Sequence, residues 1–309
     1  MQSLPALVLT AGLGTRLRPL TLLRAKPALP VAGMPLVRRI LTWLAASGVE
    51  DAVLNLHYLP ESICAVVGDG TDMGLAVRYS WENPVLGSGG GPRRALPLLA
   101  AGRFFIVNGD TLTDVDLGSM ARAHAASGAL VTMALVPNPA PERYGGVLVD
   151  AGGAVTGFVP RRTPGPSWHF IGVQVAEARA FESVAPDVSS ESVAGLYPGL
   201  MREEPGSVRG FCTRASFRDI GTPADYLATS LELSAGNPSS LTGPGGSVSR
   251  SARVGRSILW EDVIIEDAAT VQDSIVADGC RVPAGTCLDG GIALPARLGP
   301  ELPPGAART

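Results

Sequence analysis

Ala6-Leu7-Val8-Leu9-Thr10-Ala11-Gly12-Leu13-Gly14-Thr15-Arg16-Leu17-Arg18-Pro19-Leu20-Thr21, followed by Lys26-Pro27, is the stretch from which the fold is read. A short apolar run reads as a strand and empties into a loop with two glycines. Further runs of the same kind follow at Ala52–Leu56, Ala76–Tyr79, Phe104–Val107 and Leu130–Val136. Amphipathic stretches separate them at Pro35–Ser47, Pro60–Val67, Pro92–Ala100 and Leu117–Ser127. This alternation predicts an α/β fold: a Rossmann-like mixed, mostly parallel sheet with helices on both faces. Ligands in such sheets bind at the carboxyl ends of the strands, which singles out the loops after Leu9 and Val107.

Further along, 144–217 has shorter strands and more glycine turns, as for added antiparallel strands on the acceptor side of the same domain. A helix is expected at Pro223–Ser234, closing a catalytic domain over 1–235. Residues 236–246 have the composition of a linker. From 247 to 293 apolar positions recur roughly every six residues (Val248, Val254, Ile258, Val263, Ile265, Val271, Ile275, Val282). That period predicts a short left-handed β-helix-like segment of two or three coils. So few coils are marginal alone, and the segment is expected to pack on the main domain or to support a homo-oligomer. Deletion after Gly236 is accordingly expected to expose apolar surface rather than to remove chemistry directly. The tail 294–309 reads as disordered.

Composition narrows the partners. The chain of 309 residues carries 46% hydrophobic and 17% charged residues and a net charge of −3, with no basic block. Nucleic acid and anionic membrane surfaces are therefore not expected partners. No charged leader with an apolar core precedes Ala6, and no apolar run approaches the roughly 20 residues of a membrane span, so a cytoplasmic protein is expected. Cys64, Cys212, Cys280 and Cys287 lack metal-ligand spacing and read as reduced thiols.

The glycine loop carries its own chemistry. Gly12 and Gly14 let backbone N–H groups approach a phosphate chain. Arg16 offers a rigid fork of donors to phosphate oxygens, and Lys26 a mobile point charge. A dinucleotide fingerprint is excluded because its third glycine falls at Leu17, and a P-loop because no Gly-Lys-Ser/Thr occurs here.

The segment Ala11–Lys26 resembles the signature of the nucleoside-diphosphate-sugar pyrophosphorylases, the sugar-1-phosphate nucleotidyltransferases, whose pattern reads GxGTRLxPLT followed by Lys-Pro. The resemblance implies that backbone at Ala11, Gly12, Gly14 and Thr15 meets the nucleotide. It implies that Arg16 grips the β- and γ-phosphates and Lys26 the phosphates at the reacting centre. Three further stretches sit where the family places them. Glu82-Asn83-Pro84-Val85-Leu86-Gly87, in a loop before a helix, matches the base-contacting loop at Glu82 and Gly87. A carboxylate there can accept from guanine N1–H and N2–H together, whereas uracil offers a single donor. Asn108-Gly109-Asp110 matches the site of a Mg²⁺ ligand at Asp110. Phe217-Arg218-Asp219-Ile220-Gly221-Thr222-Pro223-Ala224-Asp225-Tyr226 resembles the family's W-x-D-x-G-T-P-x-D-Y, and Asp219 matches its second metal carboxylate. Asp114 and Asp116 read as ordinary loop and helix-start acids.

The acceptor side departs from the pattern. Tyr144-Gly145 is present, but the family's Glu-Lys-Pro is replaced by Pro160-Arg161-Arg162. Arg161 can stand in for the Lys that holds the sugar phosphate; Pro160 cannot replace the Glu that holds sugar hydroxyls. Backbone at Gly172 faces the sugar by the same resemblance. His169 reads as structural or sugar-contacting, and His57 and His124 as non-catalytic. The implied reaction joins an NTP and a sugar 1-phosphate into an NDP-sugar with release of pyrophosphate, using Mg²⁺. Glu82 points to GTP and mannose 1-phosphate; the missing Glu at Pro160 keeps UTP with an amino sugar 1-phosphate, N-acetylmuramate 1-phosphate or another sugar 1-phosphate as the alternative. A non-catalytic regulatory homologue is the alternative of another class, opposed by the joint presence of Arg16, Lys26, Asp110 and Asp219.

Overall fold

A computed structural model describes residues 3–235, 241–296 and 306–308, and these fall into two compact units. The first comprises 1–12 and 37–218, the second 13–36 and 219–309. The division does not follow the sequence order. The signature loop from Leu13 onward groups with the C-terminal coils.

The first unit is built on a nine-stranded mixed sheet. Its strands are β1 (Ala6–Leu9), β2 (Asp51–Leu56), β3 (Ala76–Trp81), β4 (Arg103–Asn108), β5 (Val131–Pro137), β6 (Gly146–Val149), β7 (Val155–Val159), β8 (Trp168–Glu177) and β9 (Val208–Cys212). The order is β7-β6-β8-β4-β1-β2-β3, with β5 also paired to β8 and β9 to β5. β4, β1, β2 and β3 are parallel, and β8 runs antiparallel beside β4. Ala6, Leu7, Val8, Phe104, Phe105, Ile106 and Val107 are all buried. That is why these runs are continuously apolar rather than alternating. The expected α/β architecture is what the chain adopts.

Helices α1 (Leu36–Ala46), α2 (Pro60–Val67), α3 (Gly87–Leu99) and α4 (Leu117–Ser127) connect the strands, and α5 (Tyr197–Glu203) precedes β9. α1 buries Val37, Ile40, Leu41 and Leu44, the stripe of an amphipathic helix. Asp116 caps α4 by accepting from Ser119 N at 2.9 Å, and Gly128 ends it in the left-handed region. Asp114 accepts from Ser216 N at 2.7 Å, so both acids have the local roles expected of them.

α3 departs from expectation. The glycine run read as a loop is its first turns, and the helix begins at Gly87 rather than near Pro92. Packing compensates for the poor helix propensity of glycine. A Cβ on Gly90 would lie 2.6 Å from Val188 O, and one on Gly89 2.9 Å from Ser190 Oγ. The bare face of the helix thus lies directly against the 188–192 backbone.

The second unit contains the signature loop, α6 (Pro223–Leu233) and the C-terminal coils. The loop winds through three short turns, Thr15–Leu17, Leu20–Leu22 and Lys26–Ala28, before a tight hairpin at Pro30–Pro35. α6 starts with a full capping box between Thr222 and Asp225, with Pro223 in the first turn. The coils form three short parallel sheets. Up to Leu294 each strand pairs with the one 17 positions on, as Ser247 with Ile264, Arg253 with Thr270 and Ile258 with Ile275. Ile258, Val263, Ile265, Val271, Ile275 and Val282 are buried in the β-helix-like arrangement the spacing predicts, whereas Val248 and Val254, in its first strands, are exposed.

The segment read as a linker is already part of this stack from Thr242 on. Thr242 bridges to Leu259, and Gly243 N donates to Leu259 O at 2.8 Å. Residues 236–240 lie outside the described residues. So does most of the tail read as disordered, whose Ala306–Arg308 pairs in parallel with Ile292–Leu294. Among the described residues, no helix is long and apolar enough to cross a membrane.

Candidate active site

In the first unit a buried polar chain supports the end of β1. Asn55, the one polar side chain in the apolar core of β2, accepts from Thr10 N at 2.6 Å and from Ala11 N at 3.3 Å. Its Nδ2 donates to Glu82 Oε1 at 2.7 Å, and Glu82 Oε2 accepts from Leu86 N at 2.9 Å. Glu82 is only 4% exposed. A Cβ on Gly91 would fall 2.8 Å from its Oε1, so glycine there makes room for the carboxylate. Each oxygen of the Glu82 carboxylate thus holds one protein donor, which ties it into the buried chain. Glu82→Gln places an NH₂ against either Asn55 Nδ2 or Leu86 N. We expect it to lower unfolding free energy by about 1–3 kcal/mol, read by denaturant titration. A variant as stable as the wild type would show that the chain is dispensable.

Gly87 takes a φ of 75°, and a Cβ there would meet Ser190 O at 2.7 Å. Ser88 Oγ beside it donates to Glu191 Oε2 at 2.7 Å and accepts from Ser192 N at 2.9 Å. The expected base-contacting position is therefore held from behind by 188–192.

Asp110 lies half-buried just past the end of β4. Gly109 N donates to Leu9 O at 2.9 Å, and a Cβ on Gly109 would sit 2.5 Å from that oxygen. Glycine thus lets β4 run close along β1 up to its last turn, where Asp110 emerges. Gly172, at φ 77°, leaves 2.9 Å between its missing Cβ and Asn108, so it shapes the same strand end.

In the same unit the rings of Tyr144, His169 and Phe217 gather. Their centroids are 4.2 Å apart for Tyr144–His169 and 4.9 Å for His169–Phe217. Arg143 lies over Tyr144 at 5.2 Å. A Cβ on Gly145 would be 3.1 Å from Val159 O and 4.0 Å from Arg161 N, so the Tyr144-Gly145 turn and the Arg161 backbone are neighbours. Burial brings His169 down to about 4, with the backbone of Gly145 opposing. The ring is therefore a neutral aromatic surface at ordinary pH. An unfolded histidine takes up its proton near 6.5. Stability is then lost as pH falls from ~6.5 towards ~4, and the loss is complete below that. An NMR titration of the His169 ring should show protonation only near pH 4; a midpoint at the ordinary value would refute the burial argument. His124 is buried between Thr132 Oγ1 at 2.8 Å and Glu177 Oε1 at 3.2 Å, a structural position.

In the second unit, Gly14 is left-handed, and a Cβ on it would lie 2.9 Å from Thr21 Cγ2 and 3.2 Å from Lys26 Cβ. Thr21 Oγ1 donates to Gly14 O at 3.0 Å. Glycine thus folds the loop back onto Lys26, which is 8% exposed, while Arg16 remains exposed. Gly221 does the same for Arg16 and Asp219. A Cβ on it would meet Arg16 Nη1 at 2.9 Å and Asp219 Oδ2 at 3.3 Å. Thus Gly221 lets Arg16 and one expected metal carboxylate, Asp219, lie beside each other, and Gly14 lets the loop close on Lys26. Among the described residues, no cluster of three or more His, Cys, Asp and Glu is placed to hold a metal. Asp110 and Asp219 are hard oxygen donors, and Mg²⁺ takes one or two such carboxylates with phosphate oxygens and water. The donor chemistry fits.

The nucleotidyl transferase family model matches residues 5–235, and the chain belongs to that family. A mannose-1-phosphate guanylyltransferase of Mycobacterium tuberculosis is 31% identical over 92% of this chain and 82% of its own length. An N-acetylmuramate alpha-1-phosphate uridylyltransferase of Neisseria meningitidis is 33% identical over 70% of this chain and 93% of its own. Among solved structures, HddC from Yersinia pseudotuberculosis complexed with GMP-PN superposes with a TM-score of 0.65 at 25% identity, covering 74% of this chain and 99% of that one. Within the family the protein is a sugar-1-phosphate nucleotidyltransferase.

Proposed function

We propose that the protein transfers a guanylyl group from GTP to mannose 1-phosphate, yielding GDP-mannose and pyrophosphate. The observation that carries this reading is the likeness to a mannose-1-phosphate guanylyltransferase over 92% of the chain, a span that takes in the C-terminal coils. The guanine nucleotide held by the structural neighbour points the same way. Glu82, each of whose oxygens accepts one donor within the protein, is not what carries this reading. The base is read instead by backbone around Gly87. UTP with N-acetylmuramate 1-phosphate is the second reading, favoured by Pro160 where a sugar-binding Glu would stand and by the Neisseria relative.

A sugar-phosphate oxygen attacks the α-phosphorus in line, and pyrophosphate departs on the opposite side. The nucleophile is already an anion, so the work is positioning and charge neutralisation. Backbone at Ala11, Gly12, Gly14 and Thr15 lies along the triphosphate. Arg16 holds the departing pyrophosphate, and Lys26 balances charge that grows at the α-phosphate. Asp110 and Asp219 would hold Mg²⁺, which when bound neutralises the phosphate oxygens. Tyr144, Gly145, Arg161 and Gly172 receive the sugar phosphate, with Arg161 as its cation. We place the reaction in the cytoplasm, where the four free cysteines stay reduced. A homo-oligomer through the C-terminal coils remains part of the proposal.

The test is a matrix of NTPs against sugar 1-phosphates with pyrophosphate release as readout. GTP with mannose 1-phosphate should give the highest kcat/KM. A clear preference for UTP with N-acetylmuramate 1-phosphate selects the second reading. Absence of pyrophosphate release across the matrix would refute catalysis.

A further inference from the structure

We propose that the C-terminal coils are a positioning device for the catalytic loop: Arg24, held by Asp278 over Trp260, and Pro30, held by Tyr226, fix the turn that carries Lys26. The inference rests on the role given to Lys26 above.

Arg24 stands two residues before Lys26. Its Nε donates to Asp278 Oδ2 and its Nη2 to Asp278 Oδ1, both at 2.8 Å. The same Nη2 lies 3.2 Å from Glu261 Oε1. The guanidinium sits 5.5 Å from the centre of the Trp260 ring. Asp278 is itself oriented, its Oδ1 accepting from Glu261 N at 3.1 Å. A second tie is made on the other side of Lys26. Trp260 Nε1 donates to the Tyr226 hydroxyl at 2.9 Å, and that hydroxyl donates to Pro30 O at 2.6 Å. Trp260 and Tyr226 are 1% and 0% exposed. Lys26 is thus bracketed in sequence by two directional anchors whose partners lie on the coils and on α6.

Apolar packing alone would suffice to attach a coil stack. It would leave the loop's angle and height loosely set, because hydrophobic contact has no direction. A two-pronged guanidinium–carboxylate pair fixes both distance and plane. With side chains only 17% and 19% exposed, this pair is not a solvated surface bridge of little worth. The stacking on Trp260 adds a third constraint. Reactions driven by positioning are sensitive to this: a shift of about 1 Å can cost on the order of a hundredfold.

The test uses the full chain with Asp278→Asn, which keeps shape but removes the charge, and Asp278→Glu as the conservative rescue. Hydrogen exchange of the 20–31 segment and steady-state kinetics with the preferred substrates are measured well below the melting temperature. For Asp278→Asn we expect exchange of 20–31 to rise at least about fivefold and kcat to fall at least about tenfold, with Asp278→Glu recovering part of both. Unchanged kcat and KM in a folded variant would overturn the proposal, whatever happens to exchange or melting. A loss of kcat with unaltered exchange of 20–31 would overturn it equally. Should Asp278→Asn not fold, Trp260→Phe keeps an aromatic ring, removes the donor to Tyr226, and is read the same way. Exchange requires no substrate, so an inactive wild type would sink the functional reading and leave the loop measurement intact.

Discussion

Asp110→Asn and Asp219→Asn are each expected to lower kcat by at least about a hundredfold, roughly 2.7 kcal/mol of lost transition-state stabilisation, while the fold survives. Both residues are half-buried at the ends of short strands rather than in the core. Around Asp110 the backbone geometry is set by Gly109 against Leu9 O, which an Asn leaves untouched. Thr111 Oγ1, 3.3 Å from Asp110 Oδ1, keeps its acceptor in the amide. At Asp219 the neighbouring Gly221 has no side chain to clash with an isosteric amide. On the proposed reading, what the change removes is charge that would face a divalent cation, and an amide oxygen is a weak replacement. Calorimetry should place the melting temperature near the wild type. Turnover close to wild type by either variant at saturating Mg²⁺ would sink the two-carboxylate reading.

Removal of the chain from residue 236 onward is expected to have the second-largest effect. The deletion takes away Trp260 and Asp278, and with them the cover of Tyr226 and the partner of Arg24. Tyr226 is fully buried in the intact protein, and new apolar surface of that kind promotes association. The truncated chain should be insoluble or of altered mass in solution. Unlike the expectation from sequence, any soluble fraction should also have lost turnover, because the Arg24 anchor is gone and Tyr226, which holds Pro30, has lost Trp260. Light scattering and a pyrophosphate assay decide this: a soluble truncation of unchanged mass and full turnover would refute both parts.

The sequence made some elements legible and hid others, for identifiable reasons. β1, α2 and α4 begin and end where the pattern placed them, since local caps and apolar periodicity define them. α3 began earlier than read because a glycine run argues against a helix unless a distant backbone packs on it, and 188–192 lies about a hundred residues away. The two glycines of the signature were noticed, but their reasons differ. Gly14 makes room for Thr21 and Lys26, whereas a Cβ at Gly12 would meet nothing within 4 Å. Glu82 is legible by resemblance, whereas its partner Asn55 has no motif to mark it; its signal is one polar residue inside the apolar run Ala52–Leu56. Arg24 and Asp278 are 254 residues apart. No local pattern links them, so the anchoring of the loop emerges only once the coils are seen beside it.

The regular coil spacing has a consequence for how this protein can grow. From Ser247 to Leu294 each strand of the stack meets its neighbour 17 positions away through backbone pairing, independent of side-chain identity. Trp260, Glu261 and Asp278 sit at fixed places in that register, so inserting a partial turn before Asp278 rotates its carboxylate away from Arg24. A whole extra turn spliced in after Val282 leaves all three where they are. The stack is therefore modular at one end and locked in phase at the other, and length variation between homologues or in engineered fusions belongs at the modular end.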